Sequence, residues 1–500
     1  MENRSNGLEQ FILTSLEVMA GLFILAIGAA TLAALFIYVK DRSQTVSTVR
    51  RNFPLIGRFR YLFEELGEFF RQYFFSMDRE EMPFNRAQRS WAYRAAKKVD
   101  VTVAFGSTKD LRPEGTILFV NSAFPTLDKD AVTPPPLIIG PYCKNPYEAH
   151  SIFNISGMSY GALSKPAILA LSQGAKSACC WMNTGEGGLS PAHLEGGSDI
   201  VFQVGTAKYG VRDKNGNLSN EKLRKIASYP QVKMFELKLS QGAKPGKGGI
   251  LPAIKVTKEI AEIRGIPAGE ASISPNRHPE ISNIHELLDM VNHIRDVTCK
   301  PTGFKTVISG DDWLEALCEE ILKRGIESAP DFITVDGSDG GTGAAPMPLM
   351  DDVGLPLIES LPILVDLLAR YNLNERIKVI ASGKLITPDK VAWALAMGAD
   401  FVVSARGFMF ALGCIQAMQC NKNSCPTGIT THNPELQHGL VPAKKSVRVA
   451  NYQKKVEYGV GLIAHSCGVA EPRELKREHA RMVVGPGKSI PLNELYPPVN

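Results

Sequence analysis

Apolar and polar positions divide this chain into three regimes. From Val18 to Val39 it reads VMAGLFILAIGAATLAALFIYV, 22 residues without a charge. At about 1.5 Å of rise per residue, a helix of that length crosses a hydrocarbon core of roughly 30 Å. A signal peptide has a shorter apolar region, about 7–15 residues, behind a basic n-region, whereas here Glu2 dilutes Arg4. A core helix of a soluble domain would keep a polar stripe, and none exists; faces rich in Ala, with Gly21 and Gly28, suit lipid. The pattern predicts a transmembrane helix over 18–39, with 1–17 as a short segment before it.

The second regime interleaves aromatic and basic residues through 53–97: Phe59, Tyr61, Phe69, Phe70, Tyr73, Phe74 and Phe75 among Arg58, Arg60 and Arg71. Two readings stand, an amphipathic helix on a membrane surface or a helical collar packed on the main domain, and periodicity does not separate them. A juxtamembrane collar over 40–140 follows. The third regime begins at 151 as a β/α rhythm, in which short β-branched runs end in Gly, Ser or Asn before a helical stretch. The expected strands are Ser151–Ser159, Cys179–Asn183, Lys233–Ser240, Ala271–Ser274, Gly303–Ile308, Asp331–Asp336, Ile377–Ser382 and Phe401–Ser404. Alternation of this kind predicts parallel pairing with right-handed crossovers. Eight units match an α/β fold of the (β/α)8 TIM barrel type over 141–440, followed by a C-terminal cap over 441–500; a doubly wound open sheet is the alternative.

Charge sets the orientation. Glu2, Arg4, Glu9 and Glu17 precede the apolar run, and Lys40, Arg42, Arg50, Arg51, Arg58 and Arg60 follow it. Basic flanks stay cytoplasmic, so 1–17 is expected outside an inner (cell) membrane and the catalytic domain inside. A net charge of +5 over 500 residues is too small to argue for nucleic acid. Nine cysteines in a chain this long do not form a disulfide scaffold, and in the cytoplasm they stay reduced and open to metals.

The loops after the strands carry the chemistry. Gly157-Met158-Ser159-Tyr160-Gly161-Ala162 follows the first expected strand and Asn183-Thr184-Gly185-Glu186-Gly187-Gly188 the second. The run from Lys238 to Gly249, KLSQGAKPGKGG, follows the third, Asp336 to Gly343, DGSDGGTG, the sixth, and Ser382-Gly383-Lys384 the seventh. Glycine lets backbone N–H groups approach a ligand closely, and five such loops on one end of a barrel point to a phosphorylated cofactor. Lys238 ends an otherwise apolar strand, where a lysine is costly unless it meets an anion. A reduced flavin edge is such an anion; the plainer reading has this lysine snorkelling outward.

Cys414, Cys420 and Cys425 form a C-x5-C-x4-C run with Pro426 after the last thiol. Three close thiols in a reduced compartment suggest metal, and a proline after a ligating cysteine recurs in iron–sulfur proteins. Zinc needs a fourth ligand, for which His432 is the nearest candidate. Three ligands alone suit a three-iron cluster, or a four-iron cluster with one open corner. Cys143, Cys299, Cys318 and Cys467 read as scattered structural thiols, and the Cys179-Cys180 pair as burial in a strand.

With ISGMSYGALS, NTGEGG, KLSQGAKPGKGG, DGSDGGTGAAP and GCIQAMQCNKNSCPTG in this order, the chain resembles the synthase domain of glutamate synthase over about residues 140–470. It resembles single-domain, membrane-anchored members of the FMN-binding glutamate synthase family over nearly its full length. The resemblance implies FMN at the barrel mouth, held by Gly157, Met158, Ser159, Asn183, Lys238, Gly340, Gly341, Thr342, Gly383 and Arg406. It implies a 3Fe–4S cluster on Cys414, Cys420 and Cys425, with electrons passing through the cluster to FMN and then to 2-iminoglutarate, formed from 2-oxoglutarate and ammonia, to give L-glutamate. Glu186 and Lys238 fall on catalytic positions, Glu186 as the proton donor, and Lys244 and Arg264 on positions that hold the keto acid.

Two departures bear on the substrate. Where the family reads GGQLPG this chain reads GGILPA, so Ile250 replaces a polar contact, and the loop Ser274-Pro275-Asn276-Arg277-His278 differs. Arg277 is the candidate to replace the lost contact. No N-terminal amidotransferase nucleophile and no GxGxxG after a strand occur in this sequence, so ammonia and electrons are expected from elsewhere: a ferredoxin, a reductase subunit or a membrane quinone. The alternatives to glutamate synthesis are a flavin dehydrogenase for another amino or hydroxy acid that passes electrons to a membrane acceptor, and a non-catalytic redox relay subunit.

Overall fold

The structure, a computed structural model, describes residues 2–499; the side chains of residues 2–9, 68, 69, 72 and 73 lie outside that description, and with them Phe69 and Tyr73 of the aromatic series. The chain divides into two compact units, Met1–Arg86 and Ala87–Asn500.

In the first unit one helix, Glu2–Ser43, contains the whole apolar run. Its stretch Gln10–Ser43 is long and apolar enough to cross a membrane, and the apolar window within it is not buried by the fold. No proline stands on either side of the run to stop the helix, which outruns 18–39 at both ends. A short helix, Thr48–Asn52, follows and is capped by the Ser47 side chain, which accepts the Arg50 N–H. Then comes Ile56–Phe70, continued by a single π-helical turn, Arg71–Phe75.

The helix Arg86–Ala96 begins at the last residue of the first unit, and after it the expected helical collar gives way to loops and short strands. The centre of the second unit is a closed barrel of eight parallel strands: β1 (Phe153–Ile155), β2 (Trp181–Asn183), β3 (Asp199–Val204), β4 (Val232–Lys238), β5 (Thr302–Thr306), β6 (Phe332–Asp336), β7 (Lys378–Ser382) and β8 (Phe401–Ser404). The TIM barrel expected from the pattern is therefore present, with one exchange of strands. Ala271–Ser274 is not in it; Ser272–Ile273 instead pairs antiparallel with Ile250–Leu251 in a separate two-stranded ribbon. The strand that replaces it, Asp199–Val204, is hard to see in sequence because the helix before it, Pro191–Gly196, has only six residues, too few for a helical period.

Side chains on a strand alternate between faces. On β4 this alternation sends Met234 and Glu236 into the barrel interior, where they meet Trp181, Asn183, Val201, Lys305, Phe332 and Thr334. The lower part of this interior is apolar and is closed from below by an antiparallel pair, Leu137–Ile139 with Tyr147–Ala149, whose Ile139, Tyr147 and Ala149 join the same cluster as Trp181, Met234 and Phe401. Above it Glu236 is buried but fully engaged: Oε1 accepts from Asn183 Nδ2 at 2.8 Å and Gln203 Nε2 at 2.6 Å, and Oε2 from the Thr334 hydroxyl at 2.7 Å. The helix Pro442–Ser466 packs on both Lys165–Ala178 and Pro388–Ala396, the place of the eighth barrel helix, so the outer ring runs past residue 440 into the segment read as a cap.

Below the barrel, Asp331 just before β6 is wholly buried. It forms ion pairs with Arg295 at 3.0 Å and Arg376 at 2.9 Å, and accepts the Thr302 backbone N–H at 2.8 Å. Removing one partner from such a cluster strands buried charge. Asp331→Ala should lower stability by about 3–5 kcal/mol, read as an earlier midpoint in chemical unfolding. Cys143→Ser, which keeps the carboxylate, should stay near wild type; equal losses in both variants would contradict the assignment.

Candidate active site

The loops at the C-terminal ends of the strands enclose an open cavity of about 880 Å³ including its mouth, a size suited to a cofactor together with a small substrate. Every barrel strand except β7 contributes to its wall. Gly157, Met158 and Ser159 come from the loop after β1, Gly185 and Glu186 from that after β2, and Gln203 from β3. Lys238 ends β4, with Gln241 and Lys244 beyond it, Lys305 lies on β5, Gly341 to Ala344 follow β6, and Ala405 and Arg406 follow β8.

Charge dominates this wall. Lys238, Lys244, Lys255, Lys305 and Arg406 line it with Glu186 as the one carboxylate. Lys238 donates to Gln241 Oε1 at 2.9 Å and stands 3.1 Å from Glu186 Oε1, so it points into the cavity rather than outward. Burial alone would raise the Glu186 carboxyl, but the charges of Lys238, Lys244 and Arg264 outweigh it and hold this group below the usual carboxylate range. It is a carboxylate at neutral pH. Lys244 moves the other way: burial first, and then the neighbouring Lys238 charge, push it down to about 8.

The loops around the cavity depend on close backbone contacts. A Cβ on Gly242 would come within 2.1 Å of the Gly337 carbonyl, so the loops after β4 and β6 touch main chain to main chain. The Ala243 N–H to Ser338 carbonyl bond at 2.9 Å and the Gly242 N–H to Asp336 Oδ2 bond at 2.9 Å fasten them together. At Gly249 a Cβ would stand 2.1 Å from Glu186 Oε1, which places this strap directly over the carboxylate. These approaches account for Gly242 and Gly249 in KLSQGAKPGKGG.

The expected site residues divide clearly. Gly157, Met158, Ser159, Glu186, Lys238, Lys244, Gly341, Thr342 and Arg406 line one cavity. Asn183, Gly340 and Gly383 do not; Asn183 lies just beneath, bonded to Glu236 and to the Gly185 N–H. Arg264 is buried behind the wall, donating to Ser272 Oγ and the Tyr160 carbonyl, each at 3.1 Å, and stacking over Tyr209. Arg277 is exposed and donates to the carbonyls of His278 and Ile281 in its own loop. Neither arginine reaches the cavity surface. Sequence reading missed Gln203, Gln241, Lys255 and Lys305. Lys305 carried the same signal as Lys238, a lysine in an apolar strand, and is its parallel neighbour in register.

The cysteine run lies beside this cavity. All nine cysteines are free, and Cys420 itself lines the wall. Each of the three has a polar neighbour: the Gln416 N–H donates to Cys414 Sγ at 3.4 Å, Arg406 lies 3.9 Å from Cys420 Sγ, and Thr427 Oγ1 lies 3.3 Å from Cys425 Sγ. Although burial opposes it, contacts with Thr427 and Thr430 lower the Cys425 thiol. Lys255 donates to the Cys420 carbonyl at 3.1 Å. Among the described residues no three His, Cys, Asp or Glu side chains converge on a single ion, and His432 is committed through Nε2 to the Gly161 carbonyl at 2.8 Å. A zinc site with His432 as fourth ligand is not what this loop builds. A multi-iron cluster holds its thiolates farther apart than one ion does, and three free thiols, each beside a polar group, fit that chemistry.

The family model for the conserved region in glutamate synthase matches residues 114–470. The chain belongs to the glutamate synthase family. It is thereby a glutamate synthase-type oxidoreductase. It is similar to the glutamate synthase large subunit-like protein YerD of Bacillus subtilis, 40% identical over 89% of this chain and 91% of that one. It is also similar to the archaeal glutamate synthase [NADPH] of Methanocaldococcus jannaschii, 34% identical over 68% of this chain but only 62% of that one. A glutamate synthase large subunit-like protein of Rhizobium meliloti is 28% identical over 67% of this chain and 76% of its own length. The matched residues cover the barrel and all five glycine loops, so the cavity lies wholly within the shared region.

Burial first, then Lys238, lowers Lys244 while Glu186 raises it, so its titration reports on both neighbours. In ligand-free protein, competitive acylation across pH should give Lys244 a midpoint near 8, and Glu186→Gln should move it lower. An ordinary lysine midpoint in both proteins would show that the two groups are not neighbours.

Proposed function

We propose that the cavity binds FMN and an anionic keto or amino acid, that Cys414, Cys420 and Cys425 hold a 3Fe–4S cluster, and that the chain reduces 2-iminoglutarate to L-glutamate. The observation that carries this reading is the wall of five cations around one carboxylate, since buried cations are costly without anions to meet them. When bound, FMN would supply the hydride and the cluster would supply electrons one at a time. Gly157, Met158, Ser159, Gly341, Thr342 and Arg406 would hold the flavin, Arg406 bringing a fixed cation and the glycines open backbone. Lys238 and Lys305, side by side at the ends of β4 and β5, would stabilise negative charge on it.

Reduction of an imine forms a C–H bond at carbon, sends the C=N electron pair to nitrogen and requires a proton there. Glu186, an ionised carboxylate beside Lys238, is poorly placed as that acid. Lys244, pushed down to about 8, has the better-matched acidity and shares the same cavity. Glu186 then orients Lys238 and balances charge. Arg264 keeps an indirect part, packing against Tyr160 and Ser272 behind the wall, and the substrate carboxylates fall to the lysines. The domain is cytoplasmic and anchored by Gln10–Ser43 in an inner membrane, and its electrons come from a ferredoxin, a reductase subunit or a quinone.

A second reading is favoured by Ile250, which lines the wall as an apolar group. With it, the substrate is another amino or hydroxy acid whose oxidation feeds electrons to a membrane acceptor. Anaerobic reduction of the solubilised protein, followed by 2-oxoglutarate and ammonia, separates the two. Flavin reoxidation with stoichiometric glutamate is the expected outcome; a flavin that stays reduced sinks glutamate synthesis and leaves the second reading. For the cluster, Cys420→Ala should lose the iron while FMN stays bound, and wild-type iron content in that variant would remove Cys420 as a ligand.

A further inference from the structure

The first unit contains a polar elbow that faces one way and an apolar stripe that faces another. At the elbow, Asp41, 1% exposed, accepts from Arg58 Nε at 2.8 Å and Nη2 at 2.7 Å and from the Leu55 N–H at 3.2 Å. The Ser47 and Tyr61 hydroxyls are 2.7 Å apart, and the Arg50 guanidinium stands over the Tyr61 ring. Gly57 allows the close crossing, since a Cβ there would lie 2.8 Å from the Val49 carbonyl. Arg58 and Tyr61 are three apart and so share one side of the helix Ile56–Phe70, and these two contacts fix its rotation about its own axis.

A second face, centred roughly 130° around the helix from Arg58 and Tyr61, carries Ile56, Phe59, Leu62, Phe63 and Leu66, at helical spacing and all exposed, from 37% for Leu66 to 73% for Ile56. An exposed apolar stripe of this length on a helix whose other side carries Glu64 and Glu65 is the pattern of an interfacial helix. Lys40, Arg42, Arg50 and Arg51 gather at the elbow, where the apolar helix ends, and they suit anionic headgroups.

We propose that Ile56–Phe70 lies along the surface of the bilayer that Gln10–Ser43 enters, with Phe59 and Phe63 among the acyl chains near the headgroups and the elbow holding the two helices at a set angle. The occupant of the apolar stripe is lipid. This rests on the reading that Gln10–Ser43 crosses the bilayer, and the test keeps the two apart. Full-length Phe63→Trp, Phe59→Trp, Glu65→Trp and Leu25→Trp proteins are reconstituted in vesicles of zwitterionic and anionic phospholipid, and the added emission is read as the difference from the unsubstituted chain.

Lipid brominated near the headgroup end of the acyl chain should quench Phe63→Trp and Phe59→Trp at least about twofold more than Glu65→Trp. Lipid brominated at depth should quench Leu25→Trp. Quenching of Leu25→Trp alone overturns the surface helix and leaves the span standing. If lipid quenches none of the four, both readings fall. A Trp at 63 reached by aqueous iodide, or shielded from iodide and bromine alike by protein, also overturns the proposal, the second result naming a second copy or the chain's own barrel as the occupant.

Discussion

A closed barrel offers its inward side chains no escape to solvent, and this confinement governs the site. Along β4 the inward positions rise through Met234, Glu236 and Lys238, so one strand passes from apolar floor to buried acid to buried base. Each level satisfies itself before the next begins. Met234 packs in the apolar floor, Glu236 takes three hydrogen bonds from β2, β3 and β6, and Lys238 pairs with Glu186 and Gln241. Charge left unneutralised is therefore found at the mouth, where a ligand can reach it. The same carboxyl sets an orientation as well: Gln203 donates its amide nitrogen down to Glu236 Oε1, which leaves that residue's oxygen for the cavity.

How much of this the sequence made legible follows from what each signal depends on. The barrel was legible because parallel strands buried on both faces read as short apolar runs, and seven of them stand out. Asp199–Val204 did not, since its partner helix is too short to show a period, and Ser272–Ile273 imitated a strand of the barrel because it is a real strand in another ribbon. Glycine loops located the mouth correctly, for the close approaches at Gly242 and Gly249 admit no other residue without displacement. Direction was what sequence withheld. Arg264 and Lys244 are comparable cations on paper, but one turns back into Tyr160 and Ser272 while the other faces the cavity. Arg277 spends its donors on its own loop.

The cysteine run and the cavity are coupled through Lys255, which is 1% exposed and donates to the Ala162 and Cys420 carbonyls at 2.8 and 3.1 Å. Burial pushes this lysine down to about 8, against the pull of Cys420 and Cys425, which raises it. One cation thus joins the loop after β1 to the thiol loop and keeps Cys420 at the cavity wall. Tyr93 adds a second tie, its hydroxyl donating to the Cys414 carbonyl at 2.6 Å. The carbonyls of Cys414 and Cys420 anchor the loop, while its three sulfurs each stand beside a polar group.

That division of labour bears on the choice of acid. A proton donor to nitrogen must be protonated at rest and must give the proton up readily, and two neighbours cannot both be tuned to do so. Glu186 is held ionised by the cations around it, whereas burial and the like charge of Lys238 depress Lys244. Replacing Lys238 by a neutral residue would weaken both effects at once, raising Glu186 and Lys244 together. The carboxylate and the two lysines therefore titrate as one electrostatic unit, and in the proposed reduction the charges beside the acid, rather than its side-chain type, would select it.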